Sequence, residues 1–488
     1  MKAVARAGAL WFALAVVASA ALAQASSRPA AGGSGSRPEP GIAAPQTSEG
    51  PAAEQAGAAP TVASWIGPSA DPGGVRSFLS GKGITSSVTY IGETLGVASG
   101  GIRRGAIYEG RLDVQLDADL DRLLGWRGAS FHTNFFAIHG RGLSRDHVGN
   151  LLVASGIEAL PSERLFELWL EQKVFDGQVA VRVGQLAADT EFIVSQAAGV
   201  FVNATFGWPT ITAANLPSGG PAYPLATPGI RIKVSPSENA TLLVGVFNGD
   251  PAGRAGPFDD PDPQRRERTN TSFRLRDPAL LISEGALSYK LGSTELPGTA
   301  KLGYWHHFGR FDDQRRDGAG LSLADPATSG VPRRLRGNDG GYVVIDQAVY
   351  RVPGTEDGGA TVFARVSGSP GDRNLIDLYA DAGITYKGMW PGRPDDTFGV
   401  GIGYARISDR TRGFDRDAAM FAGAPALVRS SEAVIEVTYQ AQVVPGWTVQ
   451  PDFQYVFRPG GGAANPREAN GGRIRDAAIF GLRTTIRY

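Results

Sequence analysis

The chain has 488 residues, equal numbers of acidic and basic side chains, no cysteine, and glycine at 66 positions. The absence of cysteine excludes a disulfide scaffold, a thiol nucleophile and thiolate metal sites. The balanced charge argues against nucleic acid as a partner, because phosphate binding needs clustered Lys and Arg.

The N-terminus has the organisation of a secretory signal peptide. Lys2 and Arg6 precede the apolar run 7–22, and Ala21-Leu22-Ala23 is a small-x-small cleavage motif. A single transmembrane anchor is the alternative, but the apolar core is short and rich in alanine and ends in the cleavage motif. We therefore predict a signal peptide over 1–23 and export of the mature chain.

The next segment, 24–75, consists largely of Ala, Pro, Gly and Ser. It has too little apolar surface to offset the entropy of ordering, which predicts a low-complexity, flexible leader. No apolar run long enough for a membrane-spanning helix follows the signal peptide. The remaining segment, 76–488, is the predicted folded domain.

From residue 84 onward, apolar and polar residues alternate with a period of two, as they do in β-strands. In YEGRLDVQLDADL, for example, Leu112 and Val114 alternate with Arg111, Asp113 and Asp117. A row of charged residues cannot face a packed core, so this face is expected to line water. About sixteen such strands are predicted. They lie at 84–93, 106–120, 128–139, 163–174, 178–186, 228–235, 240–248, 282–290, 299–308, 341–351, 360–367, 378–387, 396–407, 431–441, 446–457 and 476–488.

The phrase ERLFELWLEQKV shows the same sorting in the middle of the chain. Phe166, Leu168 and Leu170 share one predicted face, and Glu167 and Trp169 share the other. After a tight Phe-Asp-Gly turn, QVAVRVGQ repeats the pattern. This hairpin therefore has one apolar face and one face that could line a pore.

The predicted connections alternate strictly between short and long. Short turns such as 175–177 and 443–446 are separated by long loops such as 140–162 and 309–340. An outer-membrane barrel has this rhythm, with both termini on the turn side, whereas a soluble sandwich or propeller has no reason to segregate loop lengths. The predicted fold is all-β, a transmembrane antiparallel β-barrel of about sixteen strands with short periplasmic turns and long external loops.

Aromatic residues mark the predicted membrane boundary. Trp126, Trp390, Trp447 and Tyr488 fall at strand ends on the short-turn side, where an interfacial girdle is expected, although each alone is compatible with an ordinary surface position. An unpaired edge in lipid is costly, so the last strand should pair with the strand that begins near Ile84.

Several long phrases resemble the carbohydrate-selective porins of Gram-negative outer membranes. They are LPSERLFELWLEQKVFDGQVAVRVGQLAADTEF, TFGWPTITAANLPSGGPAYPLATPG, LLVGVFNGDPAG, VFARVSGSPGDRN, YADAGITYKG and QPDFQYVFRPG. The resemblance covers nearly everything from residue 81 to residue 488. It implies passive diffusion of sugars through a sixteen-stranded barrel in the cell outer membrane.

A neutral sugar presents hydroxyl groups and C–H faces, which guanidinium groups, carboxylates and aromatic rings can contact. Arginine outnumbers lysine several-fold, which favours planar, multidentate contacts. For any single residue, a structural ion pair in the lumen is the alternative role. The predicted pore-lining and substrate-binding residues are Arg111, Asp113, Glu167, Trp169, Arg182, Asn203, Trp208, Asn215, Arg231, Asp346, Arg365, Asp381, Glu436 and Arg483.

The sequence has no nucleophile elbow, HExxH motif or glycine-rich phosphate loop, and Asp259, Asp260 and Asp262 lack an EF-hand pattern. We therefore predict no enzyme activity, no cofactor and no metal site. The expected partners are permeating sugars and outer-membrane lipid. The sequence does not determine whether the barrels assemble into homotrimers. An anion-selective or general diffusion porin is the alternative function because the loops are rich in Arg. An outer-membrane hydrolase or a purely structural barrel is the third class.

The long connection 186–228 is predicted to fold into the barrel mouth and narrow it. Phe201, Phe206 and Trp208 make it too apolar for a solvated external loop, since complete burial of such side chains is worth roughly 1.5–3 kcal/mol each. Its prolines should restrict the backbone of the constriction. An external lid or a subunit contact is the alternative use of the same aromatic residues.

Overall fold

The computed structural model describes residues 61–488, apart from 72, 257, 424–426 and 469–470. The predicted signal peptide and the leader up to residue 60 lie outside the described residues. Within the described ranges, no helix combines the length and the apolar character needed to cross a bilayer.

Sixteen antiparallel strands in the described part of the chain close into a barrel, and each strand pairs with its neighbours in sequence. This confirms the predicted fold class. The strands are β1 (Ile84–Gly101), β2 (Gly105–Asp119), β3 (Ala129–Gly140), β4 (Ser162–Val174), β5 (Val179–Leu186), β6 (Thr227–Ser237), β7 (Ala240–Asn248), β8 (Ala279–Leu291), β9 (Leu296–Asp317), β10 (Pro332–Arg351), β11 (Gly359–Gly368), β12 (Ile376–Lys387), β13 (Thr397–Ile407), β14 (Ser431–Val444), β15 (Trp447–Phe457) and β16 (Arg475–Arg487).

Short helices precede the barrel or occupy its connections. The longest one begins after Ser408, whose hydroxyl accepts the Thr411 N–H, and ends at Gly423 in the left-handed conformation. The helices are α1 (Val62–Ile66), α2 (Val75–Gly81), α3 (Leu120–Leu124), α4 (Thr210–Asn215), α5 (Pro263–Arg266), α6 (Asp409–Ala422) and α7 (Pro459–Gly462).

The last strand closes the barrel as the sequence predicts. β16 pairs with β1 in a register that sets Thr89 opposite Arg487 and Val97 opposite Ile479. Just beyond β16, the Tyr488 N–H donates to the Val88 carbonyl at 2.8 Å. The first and last strands therefore satisfy each other's backbone groups, as a strand in lipid requires.

Connection lengths segregate between the two ends of the barrel, with two exceptions. The end at which β1 begins and β16 ends has short turns such as 175–178 and 445–446, and we call it the turn end. The opposite loop end carries long segments such as 187–226, but also the short connections 102–104 and 369–375. The prediction of strict alternation is therefore wrong at these two positions.

Strands β9 and β10 extend farther than predicted. The sequence predicts one long loop over 309–340, but the two strands remain paired through most of that segment and leave only 318–331 as a loop. The outward positions of the extension carry charged residues such as Arg310 and Asp312 instead of apolar ones. Alternation between apolar and polar residues is lost there, although the strand geometry continues.

Side chains sort between an apolar exterior and a polar interior, as predicted. Val114 and Leu482 on the outer face are 41% and 51% exposed, whereas Asp113 and Glu436 on the inner face are almost completely buried. This sorting gives the barrel a lipid-compatible surface around a polar interior.

Phe166 corrects one predicted face. The pairing of β3 with β4 is irregular between Thr133 and Phe135, which reverses the alternation locally. Phe166 is consequently buried, and its ring centroid lies 4.6 Å from that of the inward Phe136. The predicted grouping of Phe166 with the outward Leu168 and Leu170 is wrong.

Part of the predicted leader 24–75 has secondary structure where it is described. Residues 61–81 include α1 and α2, and Ala70 accepts a hydrogen bond from the Tyr488 hydroxyl. The Arg76 guanidinium lies 5.2 Å from the centre of the Tyr488 ring. The C-terminal aromatic residue thus holds this segment at the turn end.

Candidate functional site

The segment 187–226 lies inside the barrel. The Ile193 N–H donates to Glu284 on β8 at 2.8 Å, and the Ser195 hydroxyl donates to Asp346 on β10 at 2.5 Å. Farther along, the Val202 N–H donates to Glu436 on β14 at 2.6 Å. These carboxylates belong to the inner faces of widely separated strands, so only a segment within the barrel can reach all of them.

Arg365 holds this interior loop to the wall between β11 and β12. Its guanidinium pairs with Asp381, and neither side chain is exposed at all. The same guanidinium donates to the carbonyls of Ile193, Thr205, Phe206 and Gly207 at 2.7–3.1 Å. One buried cation therefore satisfies four loop carbonyls, three of which belong to buried residues.

A second cluster joins β4, β5 and β6 to the start of the loop. Arg182 and Arg231 share Glu171 on β4 and Glu191 on the loop, with N–O distances of 2.6–3.0 Å. The Arg182 guanidinium also lies 3.8 Å from the centre of the Trp169 ring. We call Arg182, Arg231, Glu171 and Glu191 the arginine quartet. Its two cations and two carboxylates have no net charge.

Amides fasten the middle of the loop to the opposite wall. The Asn203 side chain donates to Gln454 on β15 at 3.0 Å, and the Asn215 side chain donates to the Ile376 carbonyl on β12 at 2.7 Å. The Trp208 indole N–H donates to the Gly219 carbonyl at 3.1 Å, and this side chain remains half-buried. Trp208 is therefore an aromatic side chain of this loop that stays partly exposed.

The end of the loop packs against β2 and β3. The Arg111 guanidinium lies 4.7 Å from the Phe136 ring centre and 5.2 Å from that of Tyr223. Asp189 accepts the Tyr223 N–H at 2.8 Å, and burial raises the pKa of Asp189 to about 6 although this hydrogen bond opposes the shift. The loop thus carries a carboxyl group that is costly to ionise.

A second loop, 141–161, also packs inside the barrel, and the sequence analysis did not predict it. Glu432 on β14 accepts the backbone N–H groups of Leu151 and Leu152 at 2.6–2.8 Å. Burial raises the pKa of Glu158 against the opposing hydrogen bond from the Ser144 N–H. The apolar run from residue 151 to residue 154 is the signal that could have revealed this loop. Its side chains need burial, as do the aromatic residues of 186–228.

The structure brings the predicted site residues to the barrel interior, mostly as anchors of these loops. Asp113 lies within 3.4 Å of the Asn134 amide, the Glu167 carboxylate accepts the Ala187 N–H at 3.0 Å, and Arg483 pairs with Glu93 at 2.5 Å. Trp208 and Arg483 are half-buried, whereas the other predicted residues are buried. The sequence analysis missed three residues that help to hold the loop. Glu284 and Tyr379 on the wall bind the loop backbone, and Glu191 on the loop binds Arg182 on the wall.

A closed barrel of sixteen antiparallel strands with an inward loop defines the porin class. The family model described as "Carbohydrate-selective porin, OprB family" matches residues 103–488. The chain therefore belongs to this family, which confirms the resemblance seen in the sequence. It is a sugar-selective outer-membrane channel and not an enzyme.

Two relatives and one solved structure illustrate this relationship. Porin B of Pseudomonas aeruginosa is 26% identical over 424 residues, which cover 80% of this chain and 86% of Porin B. Putative porin QuiX of Acinetobacter baylyi is 20% identical over 419 residues, covering 80% and 88%. The high-pH structure of Pseudomonas putida OprB superposes with a TM-score of 0.74 at 24% identity, covering 86% of this chain and 97% of that chain. The last likeness supports the fold.

The contacts of Arg365 with Asp381 and with four loop carbonyls, which we call the Arg365 clamp, should control the stability of the barrel and the order of loop 187–226. Arg365→Met leaves Asp381 as a buried, unpaired carboxylate, which should lower the free energy of unfolding by about 3–5 kcal/mol. It should also make 187–226 sensitive to protease, because the carbonyls of Ile193, Phe206 and Gly207 lose the donor that Arg365 supplies and that of Thr205 keeps only the Tyr379 hydroxyl. Adding Asp381→Leu should restore stability without restoring protection. The control Arg406→Met breaks a pair with Asp377 in which the arginine is 47% exposed, and should change stability by less than about 1 kcal/mol.

Proteolysis followed by mass spectrometry and thermal unfolding in detergent measure the two effects. A stable, protease-resistant Arg365→Met barrel would contradict the role of this clamp.

Proposed function

We propose that neutral sugars cross this channel by passive diffusion through the space left beside loop 187–226. The observation that carries the proposal is the pairing of inward arginines with carboxylates. Arg365 pairs with Asp381, Arg483 pairs with Glu93, and the arginine quartet holds two carboxylates. Arginines paired in this way offer hydrogen-bonding groups to hydroxyls without leaving a free positive charge to attract anions, which supports sugars over anions.

The pore-lining residues named from the sequence divide into two roles in this proposal. The buried ones position the loop and thereby set the size of the opening. The half-buried Trp208 and Arg483, together with the partly exposed carboxylate of Glu191, are the groups that a passing sugar would contact. The aromatic face of Trp208 suits the C–H faces of a sugar, and the charged groups suit its hydroxyls.

The apolar outer belt is proposed to contact outer-membrane lipid, and a homotrimer is proposed as the assembly. Tyr90, Tyr108 and His139 form an outward polar cluster on β1 to β3, with 2.5 Å between the tyrosine hydroxyl oxygens. Polar groups facing hydrocarbon are costly, so another subunit would cover them better than lipid would. Light scattering of the detergent-solubilised protein should give the mass of a trimer, and the mass of a monomer would contradict the proposed homotrimer.

Glu191→Gln should distinguish a sugar channel from an anion channel. The substitution leaves Arg182 and Arg231 with one carboxylate, so the reversal potential in a salt gradient should shift towards anion selectivity. The matched control Glu295→Gln removes an exposed carboxylate paired with Lys290 at the turn end and should leave selectivity unchanged. Strong anion selectivity already present in the unmodified channel, and insensitive to added sugars, would favour the alternative function.

Excision of 209–218 tests the loop as the constriction. The Trp208 indole N–H donates to the Gly219 carbonyl, so the two residues to be joined lie close to each other, and the excision removes α4. Single-channel conductance should rise and discrimination by sugar size should fall. Excision of 319–328 from the loop between β9 and β10 removes a segment of equal length and should change neither. Unchanged conductance in a correctly folded 209–218 excision would place the constriction elsewhere.

A further inference from the structure

The outward faces of β9 and β10 change from mainly apolar to charged residues towards the loop end. On β9 the outward Leu302 and Phe308 are 40% and 55% exposed, and the next outward residue is Arg310. On β10 the outward Val343 is 41% exposed, and Arg336 lies farther towards the loop end. Between them lies the outward Asp339, whose carboxylate interacts electrostatically with Arg373. Both arginines therefore lie just beyond the apolar belt, where lipid headgroups meet a barrel.

Arg310 and Arg336 are direct partners in the ladder between the two strands. Both are exposed, and neither guanidinium forms an ion pair or side-chain hydrogen bond with the described part of the chain. Like charges directly opposite each other on an antiparallel sheet are destabilising. The fold therefore keeps two free guanidinium groups side by side at a cost in stability.

The neighbouring arginines differ because their groups are already engaged. Arg334 pairs with Asp312 at 2.6 Å and donates to the Arg310 carbonyl at 2.9 Å. Arg373 pairs with Asp372 at 2.8 Å and donates to the carbonyls of Arg336 and Gly337. These contacts fix the backbone that carries Arg310 and Arg336 and leave their side chains available.

We propose that Arg310 and Arg336 bind a phosphate group of a phosphorylated lipid in the outer leaflet. Two planar guanidinium forks can share the oxygens of one phosphate, which would convert their mutual repulsion into attraction to a common anion. The apolar surface below, at Phe308, receives the acyl chains of the same lipid. Lipid is thus the occupant that matches both the charge and the apolar border of this site.

Binding is measured on the detergent-purified, full-length mature protein by native mass spectrometry with bisphosphorylated lipid A. Arg310→Gln combined with Arg336→Gln should weaken binding at least tenfold. The matched control Arg406→Gln removes an outward arginine near the loop end of β13 that is paired with Asp377, and should bind like the unmodified protein. Lipid A with both phosphates removed should bind no better to the unmodified protein than to the double variant.

Thermal unfolding provides a second readout that a misfolded variant could not imitate. Without lipid, the double variant should unfold at or above the temperature of the unmodified protein, because the repulsion between the two arginines is gone. With bisphosphorylated lipid A, the order should reverse. Tight lipid binding by the double variant, or equal loss in Arg406→Gln, would overturn the proposal. Stabilisation of the unmodified protein by inorganic phosphate as great as that by the lipid would overturn the assignment to lipid.

Discussion

The interior of this barrel depends on one constraint, which is that a chain folded inside it must have its backbone groups satisfied by the wall. Arg365 supplies donors to loop carbonyls, and Glu436 and Glu432 accept loop N–H groups. A buried charge used in this way needs a counter-charge or several hydrogen bonds. The same contacts therefore fix the position of the loop inside the barrel.

The strands were predictable because their signal is local. Alternation of apolar and polar residues over strands such as β2 and β16 follows directly from a surface with lipid on one side and polar groups on the other. This alternation stops predicting strands where lipid no longer covers the outer face. Beyond the apolar belt the outward positions of β9 and β10 carry charged residues, so the apolar–polar pattern disappears although the strands stay paired. At Phe166, an irregularity in pairing shifted the face, which no property of a single strand reveals.

The candidate site was predictable as a set of inward residues but not as a set of partners. Polar residues on alternate positions identify Arg182, Arg231 and Asp381 as inward, but their partners are distant in sequence or belong to a loop. Glu191 looks like any loop carboxylate until the loop is placed beside the quartet. The inward loop 186–228 was recognisable because its aromatic residues needed burial, and the missed loop 141–161 shows that weaker aliphatic runs deserve the same reasoning.

The extended pairing of β9 and β10 has a mechanical consequence. A loop without regular structure yields to whatever touches it, whereas a hydrogen-bonded two-stranded ribbon resists bending, and β9 and β10 stay paired here despite two register shifts. Because the ribbon continues the barrel wall past the apolar belt, it stands as a stiff ridge beside the channel mouth. Large molecules such as antibodies or phage proteins that approach from outside would meet this ridge before the channel, and its fixed shape would give them a well-defined surface to recognise.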